Sequence, residues 1–216
     1  MPAFGETAQL RLQESRVRAV GLDGAAGAGL VYLAAAGVGR LWLDDREPVA
    51  PADVTGWLYR PADVGRPRAA AAAEGLARLS RFVSAEPYPA GGVPTAAIVA
   101  AASQAQAISA AETARRAGAP HVVVEPDADG GAVVTVPPRA PCYACARSTT
   151  GAGRPPLVAV AALSALAAGE LVQMIANPGQ IPGRRLELVR GVATARPTAR
   201  LAGCACGADP RAAARQ

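Results

Sequence analysis

One segment near the N-terminus limits the fold more than any other feature of the sequence. Residues 16–21 have the composition of a short strand, and residues 21–29 contain four glycines. An apolar helical stretch covers residues 30–36, and a second strand, residues 40–43, leads to Asp45. A glycine turn between strand and helix, followed about 20 residues later by an acid, is typical of folds that bind nucleotides. The segment therefore predicts a βαβ unit of the nucleotide-binding type.

The alternation of strands and helices continues along the rest of the chain. With 216 residues and 51% hydrophobic content, the chain is long enough for one α/β domain with a proper core. The alternation predicts a mainly parallel sheet with helices on both faces. We expect one domain over residues 1–207 and a disordered tail over residues 208–216. The other predicted elements are helices over residues 68–81, 103–117 and 158–176 and strands over residues 95–99, 121–125, 132–136 and 186–189.

Composition excludes several classes of function. All 22 basic residues are arginine, so mechanisms that need a lysine Schiff base or a lysine on phosphate are excluded. The arginines are dispersed and aromatic residues make up only 4%, which disfavours nucleic-acid binding. The longest apolar stretch, residues 157–176, is interrupted by Glu170 and Gln173 and is too weakly apolar to be expected in a membrane. Residues 1–9 have no pattern of a secretory signal. We expect a cytoplasmic protein.

Three other conspicuous side chains have simpler interpretations. His121, the only histidine, opens a buried strand after a proline, and we expect it to pack there and not to act as a base. Trp57 and Tyr59 lie in the proline-rich connection over residues 47–67. We consider them candidate exposed anchors for a partner.

All four cysteines fall in two tight pairs, Cys142 with Cys145 and Cys204 with Cys206. Two such pairs can supply the four thiolates of a tetrahedral zinc site. In a cytoplasmic chain a structural zinc site is favoured over a disulfide framework. The second pair has only one residue between its cysteines, so a redox pair or unrelated buried thiols remain alternatives.

These elements, taken in order, resemble the ThiF/MoeB/HesA family of E1-like adenylyltransferases. The matching pieces are residues 18–24, 32–43 and 62–68, Asp45 and the two cysteine pairs, which flank the last long helix. The resemblance implies a Rossmann-like E1/ThiF fold with a C-terminal structural zinc site. It also implies ATP- and magnesium-dependent activation of the C-terminal glycine of a ubiquitin-like sulfur carrier, and a homodimer.

Five positions correspond to the family's nucleotide site. The resemblance places Gly21, Asp23 and Gly24 in the phosphate turn, Asp45 on the ribose, and Arg68 at the position of a phosphate-binding lysine. The zinc ligands that it implies are Cys142, Cys145, Cys204 and Cys206.

The sequence departs from the family where charge on ATP has to be handled. The family turn has glycine at its third and sixth positions, whereas this chain has Asp23 and Ala26. Asp53 and Gly56 stand where the family has asparagine and arginine, and residues 98–104 carry no acid where the family has an aspartate for magnesium. ATP with magnesium needs oxygen ligands and neutralising cations. We therefore assign no catalytic residue and regard ATP and magnesium as doubtful ligands.

Three functions remain open. The favoured one is a degenerate, non-catalytic E1-like domain that binds a ubiquitin-like carrier protein, a precursor peptide or a pathway enzyme. The second is an active adenylyltransferase in which other groups replace the lost ones. The third, based on the glycine turn and Asp45 alone, is an oxidoreductase that binds a dinucleotide.

Overall fold

An eight-stranded sheet forms the centre of the fold in this computed structural model, which describes residues 5–23, 26–55, 58–101, 103–147 and 156–207. The strand order is β3-β2-β1-β4-β5-β6-β7-β8. The strands are β1 (Arg16–Val20), β2 (Arg40–Asp44), β3 (Ser84–Pro87), β4 (Ala96–Val99), β5 (His121–Asp127), β6 (Gly130–Val136), β7 (Arg184–Val189) and β8 (Val192–Pro197). The α-helices are α1 (Glu6–Glu14), α2 (Gly27–Ala35), α3 (Arg68–Leu79), α4 (Gln104–Arg116), α5 (Tyr143–Ala146) and α6 (Leu157–Ala176). The predicted tail, residues 208–216, lies outside the described residues.

Strands β1 to β5 pair in parallel, and β6, β7 and β8 extend the sheet with antiparallel pairs. Val17 on β1 faces Leu41 of β2 on one side and Ala96 of β4 on the other. The strand order reverses between β1 and β4, because β2 and β3 lie on one side of β1 and all later strands lie on the other. Ligands of such sheets bind beyond the carboxyl ends of the strands at the change of direction. The predicted α/β fold, with a mainly parallel sheet between helices, is confirmed, and its second half is antiparallel.

The two faces of the sheet have separate apolar cores. On the first face, side chains of α1, α2, α3 and α6 pack on alternate residues of the strands, with Leu12, Leu33, Leu41, Leu76 and Leu171 fully buried. On the second face, α4 contributes three alanines that pack on valines of β4, β5 and β6. Alternate strand residues therefore point to different helices, as the pleat requires.

Helix α6 is held over the antiparallel half of the sheet by a buried acid. Glu170 accepts a hydrogen bond of 2.8 Å from the Thr135 hydroxyl on β6 and two of 2.9 and 2.6 Å from Arg184 on β7. The acid that interrupts the apolar sequence is therefore paired inside the fold. By length and composition α6 could cross a membrane, and 56% of its apolar window is buried in the domain.

Helix α1 was not predicted and is anchored by a close contact. The Gly39 amide donates a hydrogen bond of 3.0 Å to the carbonyl oxygen of Leu12, and a Cβ at Gly39 would lie 1.7 Å from the carbonyl oxygen of Gln13. A side chain at residue 39 would push α1 off the sheet. The second glycine of the Gly-Val-Gly phrase at residues 37–39 therefore has a packing role.

His121 makes the stability of this fold sensitive to acid. The side chain is 1% exposed, its Nδ1 lies 3.0 Å from the carbonyl oxygen of Ala119, and burial lowers the pKa of His121 to about 4. An unfolded histidine has a pKa of about 6.5, so protons bind the unfolded chain preferentially below that pH. The contribution of His121 to the free energy of unfolding is fully present at neutral pH. It is lost as the pH falls from about 6.5 towards about 4, by about 3 kcal/mol in total.

We expect His121→Asn to flatten this pH dependence. Urea unfolding at about pH 7 and about pH 4.5 should show a smaller loss of unfolding free energy in the variant than in the wild type, because asparagine does not titrate. Equal losses in the two proteins would show that His121 is not the group responsible.

Candidate nucleotide crevice and metal centre

At the carboxyl ends of β1 and β4, the turn after β1 lies in close contact with the segment after β4. Gly21 follows β1 with a φ of +79°, and a Cβ there would lie 2.1 Å from the carbonyl oxygen of Ala100 beyond β4. Only glycine fits this close approach in the left-handed region. Gly21 therefore lies in the turn after β1, where the lack of a side chain lets this turn approach the segment after β4. Gly24 lies outside the described residues.

Asp23 uses its carboxylate to cap the turn that leads into α2. Its Oδ1 accepts a hydrogen bond of 2.9 Å from the Ala26 amide, and its carbonyl oxygen accepts one of 3.2 Å from Gly27. Amides at the start of a helix are the groups that hold phosphate in nucleotide-binding folds, and the helix dipole stabilises an anion there. A carboxylate of the chain itself therefore takes up a donor in the place where a phosphate would be expected. The capped turn also explains why α2 begins at Gly27, before the predicted start at residue 30.

Asp45 lies at the end of β2, as predicted for a ribose ligand, but its oxygens bind the chain. Oδ2 accepts a hydrogen bond of 2.8 Å from the Leu22 amide, and Oδ1 accepts one of 2.9 Å from the Glu47 amide. The side chain is 8% exposed and lies 3.3 Å from Arg68. Asp45 thereby ties the turn after β1 to the segment after β2.

Arg68, at the start of α3, lies between two acids. Its Nε and Nη2 are each 2.9 Å from Oδ2 of Asp53, and its Nη1 is 3.3 Å from Asp45. The same oxygen of Asp53 accepts a hydrogen bond of 2.8 Å from the Ala50 amide. Both carboxylates are more than nine-tenths buried, with 8% and 6% of their side chains exposed. Arg68, the cation expected to bind phosphate, is therefore paired with two carboxylates of the protein.

Tyr59 completes this cluster and corrects one expectation. Its hydroxyl donates a hydrogen bond of 2.6 Å to the carbonyl oxygen of Leu22, and the residue is 2% exposed. Burial, reinforced by the charges of Asp45, Asp53 and Asp23 and opposed by Arg68, raises the pKa of Tyr59. The prediction that Tyr59 is an exposed anchor was wrong, because the connection folds back over the strand ends. Trp57 lies outside the described residues.

The cluster has an excess of negative charge. Three carboxylates (Asp23, Asp45 and Asp53) against one guanidinium (Arg68) give a formal charge of −2 from these four groups. Beyond β4, Ser103 caps α4 by accepting a hydrogen bond of 3.2 Å from the Gln106 amide, and residues 98–104 contain no acid. The loop that carries the magnesium aspartate in the family has no carboxylate to offer here.

The sequence Asp-Val-Gly-Arg-Pro at residues 63–67 stabilises the start of α3. Asp63 accepts a hydrogen bond of 2.8 Å from the Arg60 amide and one of 2.7 Å from the Arg66 guanidinium, which also binds Glu74. The Arg60 amide hydrogen bond is the main reason that the pKa of Asp63 is lowered. This arrangement fixes the start of α3 and so the direction in which Arg68 points.

The second site is formed by the four cysteines, which come together from two distant parts of the chain. The Sγ atoms of Cys142 and Cys145, of Cys142 and Cys204, and of Cys145 and Cys206 are each 3.7 Å apart, and all four lie within 4.8 Å of one another. Four thiolates about 2.3 Å from one zinc ion in a tetrahedron would be separated by about 3.8 Å. Disulfide sulfurs would be about 2 Å apart. The cluster can bind a metal such as zinc.

The local folds explain why these four thiols converge. Cys142 and Cys145 lie on either side of the first turn of α5, where the Cys145 amide donates a hydrogen bond of 3.0 Å to the carbonyl oxygen of Cys142. Cys204 and Cys206 lie at a short 3-10 helix over Ala205–Gly207. Burial raises the pKa of Cys145 above that of a free thiol. The convergence of four thiols from two distant segments favours a metal site over unrelated buried thiols.

Comparison with protein families gives a match over the N-terminal half. A family model described as the ThiF family matches residues 1–112. The chain is 39% identical over 90 residues to the mouse adenylyltransferase and sulfurtransferase MOCS3. This alignment covers 41% of this chain and 20% of that protein. It is 37% identical over 90 residues to the sulfur carrier protein adenylyltransferase of Thermus thermophilus, covering 41% of this chain and 33% of that protein. The matched region thus spans a third or less of the length of these relatives.

Solved structures show the same fold over most of the chain. Escherichia coli MccB in complex with MccA-N7isoASN has a TM-score of 0.78 at 18% identity, covering 93% of this chain and 70% of that one. PaaA has a TM-score of 0.69 at 18% identity, covering 88% of this chain and 65% of that one.

We expect the freshly purified protein to contain about one equivalent of zinc, since a closed four-thiolate site binds one ion. Cys206→Ser should lose most of the metal and lower the melting temperature, because it removes one ligand. The neighbouring Ala205→Ser, which leaves all four thiols in place, should retain both. Mass spectrometric metal analysis with thiol titration measures this. Less than about half an equivalent of metal, with freely reacting thiols, would contradict a closed site.

Proposed function

We propose, from the fact that the chain belongs to the ThiF family of E1-like adenylyltransferases, that it is a non-catalytic member of that family. In this proposal it keeps the fold and the metal centre, does not adenylate, and acts by binding a protein or peptide. Family membership leaves little room for the dinucleotide-dependent oxidoreductase. We take residues 1–207 as one domain and place the protein in the cytoplasm, where thiols stay reduced and available to a metal.

The proposal rests mainly on the hydrogen bonds and ion pairs that the side chains of the crevice make within the protein. The carboxylate of Asp23 caps the turn into α2, and Arg68 is bound by Asp45 and Asp53. A phosphate entering there would compete with Asp23 for a backbone donor and would meet three carboxylates. Two like charges about 4 Å apart repel by about 4 kcal/mol in a surface environment. Binding of a polyphosphate therefore becomes unfavourable before any chemistry begins.

The chemistry itself would also be slow. Each preorganised group that stabilises charge in a transition state contributes about 100- to 1000-fold to a rate. This chain lacks the magnesium acid after β4 and has Asp53 and Gly56 where the family has asparagine and arginine. Even with strong non-additivity, losing several such groups together lowers the rate by about a million-fold.

The metal centre supports a structural role in the same proposal. With zinc bound, Cys142, Cys145, Cys204 and Cys206 would fill all four positions, leaving none open for a substrate or water. The ion would supply no reaction step. It would join the segment before α6 to the segment after β8, two parts of the chain that are far apart in sequence.

The partner is proposed from the relatives and from the shape of the fold. MccB has been solved in complex with MccA, and the Thermus thermophilus relative is a sulfur carrier protein adenylyltransferase. We propose that this chain likewise binds an extended segment, belonging to a ubiquitin-like carrier, a precursor peptide or an enzyme of the same pathway, above the carboxyl ends of the strands. The excess of carboxylates there favours a segment that carries cations. A homodimer, common in the family, is part of the proposal.

A second candidate is an active adenylyltransferase. By the family resemblance, Asp45 and Arg68 correspond to a ribose ligand and a phosphate ligand, and a partner could supply the missing charges in trans. This reading requires Arg68 to leave Asp53 when ATP enters.

Pyrophosphate exchange separates the two candidates. We expect the zinc-loaded protein to catalyse no exchange between ATP and labelled pyrophosphate above background, with ubiquitin-like carriers or with glycine-ended peptides, because the charges that would hold triphosphate are absent. Robust exchange with any carrier would overturn the non-catalytic proposal. Arg68→Ala is the control for such a signal, since exchange that depends on this chain's own site should disappear in it.

A further inference from the structure

The metal centre packs against α4 through the residue between its first two cysteines. Tyr143 is 3% exposed and belongs to the same apolar cluster as Ala107, Ala110 and Ala111 of α4. Arg115 lies one helical turn after Ala111, and residues four apart share one helix face. The face of α4 that carries the alanines therefore brings Arg115 to the side of the cysteine cluster.

Arg115 is held in a fixed orientation. Its Nε and Nη2 donate hydrogen bonds of 2.7 and 2.8 Å to the two oxygens of Glu112, and 31% of its side chain is exposed. The hydrogen bonds from Arg115 and Arg116 lower the pKa of Glu112 to about 2, so the carboxylate stays ionised at neutral pH. A bidentate pair of this kind fixes the plane of the guanidinium.

The charge of Arg115 reaches both cysteine pairs. Hydrogen bonding to Glu112 raises the pKa of Arg115, and the charges of Cys142 and Cys206 raise it further. One of these cysteines comes from the pair before α6 and the other from the pair after β8. The guanidinium thus lies within electrostatic range of both pairs, on the helix face that packs against Tyr143.

We propose that Arg115 is a positioning residue of the metal centre, supplying the positive charge that stabilises a zinc tetrathiolate. This inference rests on the zinc centre proposed above. Four thiolates and one Zn2+ have a net charge of −2, whereas Arg115, Arg116 and Glu112 together have a net charge of +1. Loss of groups that surround the ligands of a metal commonly costs about 10- to 100-fold in metal affinity.

Arg116 provides a matched control on the same helix. It donates a hydrogen bond of 2.9 Å to the same carboxylate of Glu112, but its side chain is 76% exposed. Solvent screens an exposed charge strongly. Removing Arg116 takes away the same formal charge without removing the cation on the alanine face of α4.

The test is competition for zinc between the full-length protein and a chromogenic chelator. We expect Arg115→Gln to raise the dissociation constant for zinc about 10-fold or more and to speed zinc release to the chelator. Arg116→Gln should stay within about twofold of the wild type, and Arg115→Lys should recover part of the loss, because it keeps the charge without the planar fork.

Two further readouts keep the outcomes distinct. Thermal unfolding of the zinc-loaded variants establishes that each is folded, and the absorption bands of the Co2+-substituted proteins report on the thiolate ligands directly. Equal zinc affinities for Arg115→Gln and Arg116→Gln, or no recovery by lysine, would overturn the role of Arg115. Failure of the wild-type protein to bind zinc at all would instead overturn the metal centre.

Discussion

The ion pairs of Arg68 with Asp45 and Asp53 hold together the segments at the carboxyl ends of the parallel strands. They join the end of β2, the irregular connection before α3 and the first turn of α3 itself. Asp45 binds the Leu22 amide in the turn after β1, and the Tyr59 hydroxyl donates a hydrogen bond to the carbonyl oxygen of the same residue. A buried cation between two carboxylates is costly to disturb, because removing one partner leaves an unpaired charge. The arrangement makes the crevice a stable part of the structure with no ligand required to complete it.

The contacts of Asp23, Asp45 and Arg68 are all made within the chain, whereas the family resemblance implies a nucleotide at these positions. A glycine at the third position of the turn would leave the amides at the start of α2 free for an anion, whereas Asp23 satisfies one of them from within the chain. Fold and function separate readily when a few charges change. The cysteine cluster differs from the crevice, since its four thiols lie within 4.8 Å of one another and can bind a metal such as zinc.

Much of this could be predicted from the sequence, and the failures have physical reasons. β2, β4 and β5 contain short apolar runs, and β1 has valine and alanine between arginines just before Gly21, so the sequence predicts these four strands. β3 carries Glu86 and Pro87, and β8 is exposed along its whole length, so neither has an apolar pattern to detect. Helix α1 buries only Ala8 and Leu12 and depends on its seat against Gly39. The sequence predicts which residues line the crevice. It does not predict that Asp23 and Arg68 bind other groups of the chain, because those contacts form only in the folded structure. The burial of Tyr59 has the same origin.

The central claim is that this crevice no longer accepts ATP with magnesium. Calorimetric titration of the zinc-loaded, full-length protein with ATP and magnesium tests it directly, with Asp23→Gly as the comparison. The account predicts no detectable binding heat in the wild type and a measurable gain in the variant, because the turn then has a free amide and one negative charge fewer. A dissociation constant on the order of micromolar for the wild-type protein would contradict it.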